Sequence, residues 1–447
     1  MADEERLKRE YNLTGTPRRG MSIATIGFFV SLTVIVFYGV AGPTFQESLG
    51  LSGAMLGLLL SSPHITKALL RIPFGAWVDD AGGKKPFLVL LILTCIGIAG
   101  LVVLLLVTYP DNFGSHLYPL LLLFGILAGC GGATFSVGIA QTSYWYPSDQ
   151  QGYAMGVFAG AGNIGPGIAN FAMPIAIGAA GLTLAYAGWF AAMVLVTVFY
   201  AVYAVDSYYF QLRKDGVNRE KAKTVASELG QDVFPAGSTK ESLKKSSSNK
   251  KTWALVFMYT ISFGGGFTAL STWYPTYWNQ FHEFSLTIAG LLAGIFVVYG
   301  SLIRIPGGSL SDRFGGENVG IVSFAIMAIG GVIVMFSQAF VPAFVGMMVI
   351  GTGMGIVNAA IFELVPKYVP EAVGGASGWI GGIGGTGTLV ILPVLGVFVD
   401  LYGVVGYAWG FVLFAVLSTI CVGVMIVLKY TVSEPEGGEG IEDTPVH

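Results

Sequence analysis

Three cationic side chains sit in apolar surroundings where water should not reach them. Lys67 and Arg71 lie in an apolar stretch from about 52 to 78, and Arg304 lies in another from 285 to 311. An unpaired charge at mid-bilayer costs from about 2.5 to over 10 kcal/mol, so each must face a cavity or a partner. Carboxylates are the first partners to seek. Among all Asp and Glu, only Glu363 falls clearly inside such a stretch, and it sits near one end. One carboxylate cannot neutralise three cations, so a net positive centre is expected, and it invites an anion. A guanidinium presents two parallel N–H donors that match two oxygens of a planar oxyanion.

The elements that carry these residues follow from composition. Of 447 residues, 54% are hydrophobic and 11% charged, with a mean hydropathy of +0.71. A soluble core has no use for that excess, so the chain reads as an all-α membrane protein. Twelve stretches are long enough to span a bilayer as helix: 22-43, 52-78, 86-108, 117-144, 152-177, 183-206, 252-279, 285-311, 318-337, 339-365, 373-398 and 403-429. The polar first twenty residues, followed by a run too long for a leader's apolar region, predict no cleavable signal. The net charge of -3 gives no reason to expect nucleic acid. Cys95, Cys130 and Cys421 lack paired spacing, and His64, His116, His282 and His447 are scattered. Neither a metal site, a cofactor nor an enzyme's nucleophile-and-base arrangement is expected.

Apart from Lys67, Arg71 and Arg304, every Lys and Arg falls on one set of turns. These are the N-terminal tail, Lys84 and Lys85, the segment 207-251, Arg313, Lys367 and Lys429. The alternate turns carry none, which places both termini in the cytoplasm and requires an even number of spans. The expected organisation is a tail (1-20), a six-helix bundle (21-206), a linker (207-251) with a short helix near 218-229, a second bundle (252-430) and an acidic tail (431-447).

The two halves look like repeats. "LLRIPFGAWVDD" in the second stretch matches "LIRIPGGSLSDR" in the eighth, each with Arg, Ile-Pro, a glycine and an aspartate (Asp79, Asp312) in step. "GVFAGAGNIG" (156-165) matches "GWIGGIGGTG" (378-387), pairing Gly156, Gly160, Gly162 and Gly165 with Gly378, Gly382, Gly384 and Gly387. Such repeats describe a transporter of two bundles with its substrate site between them. These glycines let the two helices that bear them approach closely, or let the bundles rock.

The turns after the second and eighth stretches, with Asp79, and with Asp312 and Arg313, resemble the loop motif of the major facilitator superfamily; Asp80 stands where the first copy usually has Arg. Within that superfamily, "GAGNIG", its glycine-rich partner and the paired "LRIP" and "IRIP" segments resemble the nitrate/nitrite porters. The resemblance covers nearly the whole chain. It implies that Arg71 and Arg304 clamp nitrate or nitrite, that Asn163 lies beside the anion, that Tyr259 donates its hydroxyl, and that Phe135 and Phe263 sandwich it. Lys67, one turn from Arg71, departs from the small residue expected there. It is either a proton-carrying group or a third anion anchor, and Glu363 is the other candidate for proton coupling.

With a cell interior negative by about 100 mV, bringing in a lone monovalent anion costs about 2.3 kcal/mol. Exchange of nitrate for internal nitrite escapes that cost. The expectation is therefore a secondary transporter in the cytoplasmic membrane, functional as a monomer in the lipid bilayer, that exchanges nitrate and nitrite by alternating access. Nitrate/proton symport and a proton-linked carrier of another small monovalent anion are the alternatives.

Overall fold

The computed structural model describes residues 2–147, 151–235, 239–369 and 372–433. Among them every regular element is helical. The membrane helices are α1 Pro17–Val40, α2 53–81, α3 Lys84–Thr108, α4 Ser115–Ser143, α5 151–180, α6 Leu182–Tyr203, α7 Lys250–Gln280, α8 286–314, α9 Gly316–Phe336, α10 Phe340–Tyr368, α11 373–402 and α12 Val412–Ser433. Ten of the twelve places hold helices long and apolar enough to cross a membrane. α2 and α5 stand apart: α2 carries Lys67, Arg71, Asp79 and Asp80, and α5 carries Asn163, Asn170, Pro166 and Pro174, which lower its hydropathy.

Several boundaries differ from the sequence expectation, for local reasons. α1 starts at Pro17 because Thr16, in extended conformation, accepts a hydrogen bond from the Arg19 amide at 3.2 Å, and proline suits the first turn. What remains of the tail contains its own helix, Ala2–Glu10. α2 runs on to Ala81, where Gly82 turns the chain at φ +76° and the Asp206 carboxylate accepts from the Lys84 amide at 2.8 Å. Burial pushes the Asp206 carboxyl up from its ordinary value.

α2 and α8 break in the same way. Each splits at one residue, Leu70 and Ile303, so that Arg71 and Arg304 open the second segments, Arg71–Ala81 and Arg304–Phe314. The proline two residues on explains it: Pro73 and Pro306 have no N–H for the carbonyls of Leu69 and Leu302, and their rings crowd those carbonyls. The repeated Arg-Ile-Pro is therefore a kink with a guanidinium on it. α7 is wound wider over Thr260–Ala269, a π segment that includes Gly264, Gly265 and Gly266. Such segments recur at functional sites.

The linker is more structured than expected. Among the described residues it holds three helices, Tyr208–Lys214, Arg219–Glu228 and Thr239–Ser247. The first two join the N-terminal helix in a second apolar core, where Leu7, Leu13 and Trp145 meet Tyr208, Leu212 and Ala226. Gln211 stitches it by accepting from the Thr14 amide and donating to the Thr14 carbonyl. The third packs on α11, with the Trp379 indole donating to the Leu243 carbonyl at 3.0 Å. Of the acidic tail, 434–447 lies outside the described residues.

On the face away from the linker the halves are sealed. The Asp400 carboxylate of α11 accepts from the Gly53 and Ala54 amides at 2.5 and 2.8 Å, capping α2 from the other half. Asn170 of α5 donates to the Ser271 carbonyl of α7 at 3.0 Å, and Thr276 of α7 to the Gly39 carbonyl at 3.3 Å. Backbones touch there: a Cβ at Gly57 would fall 2.8 Å from Pro393 Cα. On the linker face, by contrast, Gly160 and Gly381 look into open space and Ile305 is exposed. The structure is thus closed on the far face and open toward the linker.

Candidate functional site

The kinks in α2 and α8 carry the two arginines to opposite walls of one cavity of about 360 Å³ between the halves. Arg71, Phe135, Gly160 and Asn163 line it from the first half; Tyr259, Phe263, Ser301, Arg304, Asn358 and Phe362 line it from the second. Each guanidinium rests on a ring of its own half. Arg71 Cζ stands 5.0 Å from the Phe135 centroid and Arg304 Cζ 5.7 Å from that of Phe263, distances at which a cation is attracted to the ring face. The internal repeat is therefore visible in the site itself.

No carboxylate pairs with Arg71, Arg304 or Lys67 among the described residues. Arg71 is buried and donates one Nη1 bond, 2.7 Å, to the Gly381 carbonyl across the interface, while its Nε has no partner. Arg304 makes no hydrogen bond among the described residues. The Tyr259 hydroxyl likewise makes no hydrogen bond among them, though it lies within electrostatic reach of Arg71, and its ring is held by Phe263, stacked at 4.9 Å, and by Phe362, edge-on at 5.2 Å. A Cβ at Gly384 would fall 2.6 Å from the Tyr259 ring, so that glycine is what lets the tyrosine reach its place.

Some expected residues stand elsewhere. Asn163 lines the cavity, but one of its amide hydrogens goes to the Ala159 carbonyl, 2.8 Å, one turn back on its own helix. Lys67 does not line the cavity: it is buried behind Phe263 and bonded to Thr268. Glu363 also lies outside it, against Gly316 of α9. The paired glycines do not pack on one another. Gly162 and Gly165 accommodate Phe28 and the Phe29 carbonyl of α1, Gly382 meets Ile72 of α2, and Gly384 and Gly387 accommodate Tyr259 and the Thr260 carbonyl of α7, because α5 lies beside α1 and α11 beside α7. Among the loop residues, Asp79 accepts from the Tyr144 hydroxyl at 2.6 Å and Arg313 lies over Phe314. The side chain of Asp312 lies outside the described set. No metal-holding group of His, Cys, Asp and Glu occurs among the described residues.

The structure adds Asn358, Ser301 and Phe362. Asn358 is fully buried; Ser262 donates to its Oδ1 at 2.8 Å, which turns the Nδ2 donors away with no protein partner. The signal was available, since "IVNAA" places an amide in a membrane stretch, where polar groups are costly. Asn358→Ala is expected to raise the half-saturating substrate concentration about tenfold, the worth of one hydrogen bond to a charged ligand, as read from initial uptake rates.

A cavity between two pseudo-repeated bundles, lined by donors and open to one face, is the site of a carrier. Residues 23–389 and, overlapping them, 284–445 match the Major Facilitator Superfamily, and the chain belongs to it. It is a multi-pass membrane transporter. It is 29% identical over 400 residues to the probable nitrate/nitrite antiporter NarK1 of Thermus thermophilus, covering 84% of each chain. It is 28% identical to the nitrite extrusion protein of Bacillus subtilis, over 75% of this chain and 76% of that one. The fold matches the xylose transporter XylE from E. coli in a partially occluded inward-open conformation, with TM-score 0.71 and 14% identity, covering 96% of this chain and 100% of that one.

Proposed function

We propose that this chain carries nitrate and nitrite across the cell membrane, exchanging one for the other by alternating access. The observation that carries the proposal is the pair Arg71 and Arg304, one from each half, facing a shared cavity with no carboxylate between them. The names of the relatives support the choice of anion. A planar monovalent oxyanion suits two guanidinium forks, the Tyr259 hydroxyl and the Asn358 amide, all of them donors. The ring faces of Phe135, Phe263 and Phe362 offer no bonds to replace the water shell of a doubly charged anion.

In this reading the linker face is cytoplasmic, which the concentration of Lys and Arg on that side supports. Segments 21–206 and 252–430 move as two units about the linker, and a monomer suffices. Without substrate, Arg71 and Arg304 repel each other and resist closure around the cavity. A bound anion removes the repulsion and permits it, which makes exchange the favoured mode. Proton symport is the second reading, but both of its candidate groups, Lys67 and Glu363, lie outside the cavity in this conformation.

Competition tests the anion class. Excess nitrite is expected to suppress labelled nitrate uptake into reconstituted vesicles, and formate or acetate to leave it nearly unchanged. Strong inhibition by the carboxylates with none by nitrite would replace this reading with a carboxylate carrier.

A further inference from the structure

Directly behind the cavity, toward the sealed face, α2 presents His64 and Lys67 in successive turns leading to Arg71. Both are buried, and neither belongs to the cavity. The Lys67 ammonium has one hydrogen-bond contact, to Thr268 Oγ1 of α7 at 3.4 Å, and stands 5.7 Å from the Phe263 ring centroid. That contact is longer than an ordinary N–H···O bond, and it serves a group with three donors. The His64 Nε2 meets Thr272 Oγ1 at 3.3 Å, and Nδ1 has no partner. Thr272 is itself turned to the Thr268 and Ile35 carbonyls. The stem of Lys67 lies against Gly132 of α4, which leaves room for it by lacking a Cβ.

From α1, α4, α7 and α11, the helices around it, no carboxylate reaches this cluster among the described residues; the Asp400 carboxylate of α11 is engaged at the start of α2, with the Gly53 and Ala54 amides. A structural lysine would be paired or would reach water; this one does neither. Its present partners, Thr268 and Phe263, both belong to α7, in the other half. They are therefore the contacts that must part when the far face opens.

We propose that Lys67, with His64 beside it, is a second subsite for the same small oxyanion, reached only from the far face. This rests on the transport reading above and adds a sidedness to it. When α2 and α7 separate, the ammonium loses its cover and stands one turn from Arg71, at the mouth of the path inward. When they close, Thr268 and Phe263 reoccupy it, and the anion is passed to Arg71 and Arg304. An anion entering from the linker face meets the two arginines without passing Lys67.

The test is a sided one, using the full chain in membrane vesicles of both orientations. Nitrate is varied on one face, with saturating nitrite on the other. Lys67→Gln is expected to raise the half-saturating nitrate concentration at the far face by about tenfold and to leave that at the linker face unchanged, and Lys67→Arg to restore most of the far-face affinity. A mere shift in the balance of the two conformations would move the two values in opposite directions. That result, an equal change on both faces, or no change on either overturns the subsite. Unaltered protein that fails to exchange nitrate for nitrite in the same vesicles contradicts the transport reading, and the subsite with it. His64→Gln, a smaller change, is expected to weaken the far face alone.

Discussion

Arg304→Lys, and separately Arg71→Lys, will reduce nitrate exchange by about 100-fold or more although each keeps its positive charge, because the bidentate fork is lost. The geometry says why charge alone is insufficient. Arg304 makes no hydrogen bond among the described residues and lies over Phe263, so its donors are held ready rather than used. Arg71 has one donor on the Gly381 carbonyl across the interface and a free Nε. A lysine's compact ammonium cannot hold that carbonyl and meet an oxyanion in the same plane. Initial uptake rates with matched amounts of reconstituted protein measure the effect. Uptake within threefold of the unaltered protein would show that the cavity needs only a positive field and no fork.

The second large effect lies away from the anion. Gly57→Val will slow turnover about five- to 150-fold while leaving the protein folded and able to bind anion from the far face. A Cβ at Gly57 would meet backbone of the other half, Pro393 Cα at 2.8 Å and the Leu392 carbonyl closer still. Backbone cannot give way as a flexible side chain can, and overpacking of this kind costs about 1–3 kcal/mol. Applied to one of two conformations, that shifts their ratio about five- to 150-fold. A membrane-impermeant thiol reagent against a cysteine at Ala54 reads the shift: labelling from the far face should rise as exchange falls. Normal exchange in the variant would mean that the far face need not seal this tightly.

Much of this is legible in the sequence, and for a physical reason. A charge is so costly in a membrane that Arg71 and Arg304 announce a site wherever they appear, and their matching Arg-Ile-Pro contexts reveal the repeat. The kinks too were implicit, since Pro73 and Pro306 each remove one backbone donor. Partners in space were not legible. The two glycine runs read as one helix meeting another, yet Gly162 and Gly165 accommodate α1 while Gly384 and Gly387 accommodate α7. Nothing local distinguishes which neighbour a small residue serves. Lys67 shared a face with Arg71 by spacing, but the width of a ring, Phe263, separates it from the cavity, and that depends on the π winding of α7. "IVNAA" marks Asn358 as a costly amide in a membrane stretch, but that its Nδ2 is left free to donate depends on Ser262, a contact made only in the folded chain. The linker read as polar and loose, and its core with Leu7, Leu13 and Trp145 emerged only once three separated segments were brought together.

The central claim is that a carboxylate-free cationic cavity closes only on an anion. Nitrate uptake into proteoliposomes loaded with nitrite or left empty, with membrane potential and pH gradient clamped independently, tests it most directly. The account predicts uptake that requires internal nitrite and is indifferent to both gradients. Uptake into empty vesicles driven by an inward proton gradient would contradict it, because the empty site would then be closing without its anion.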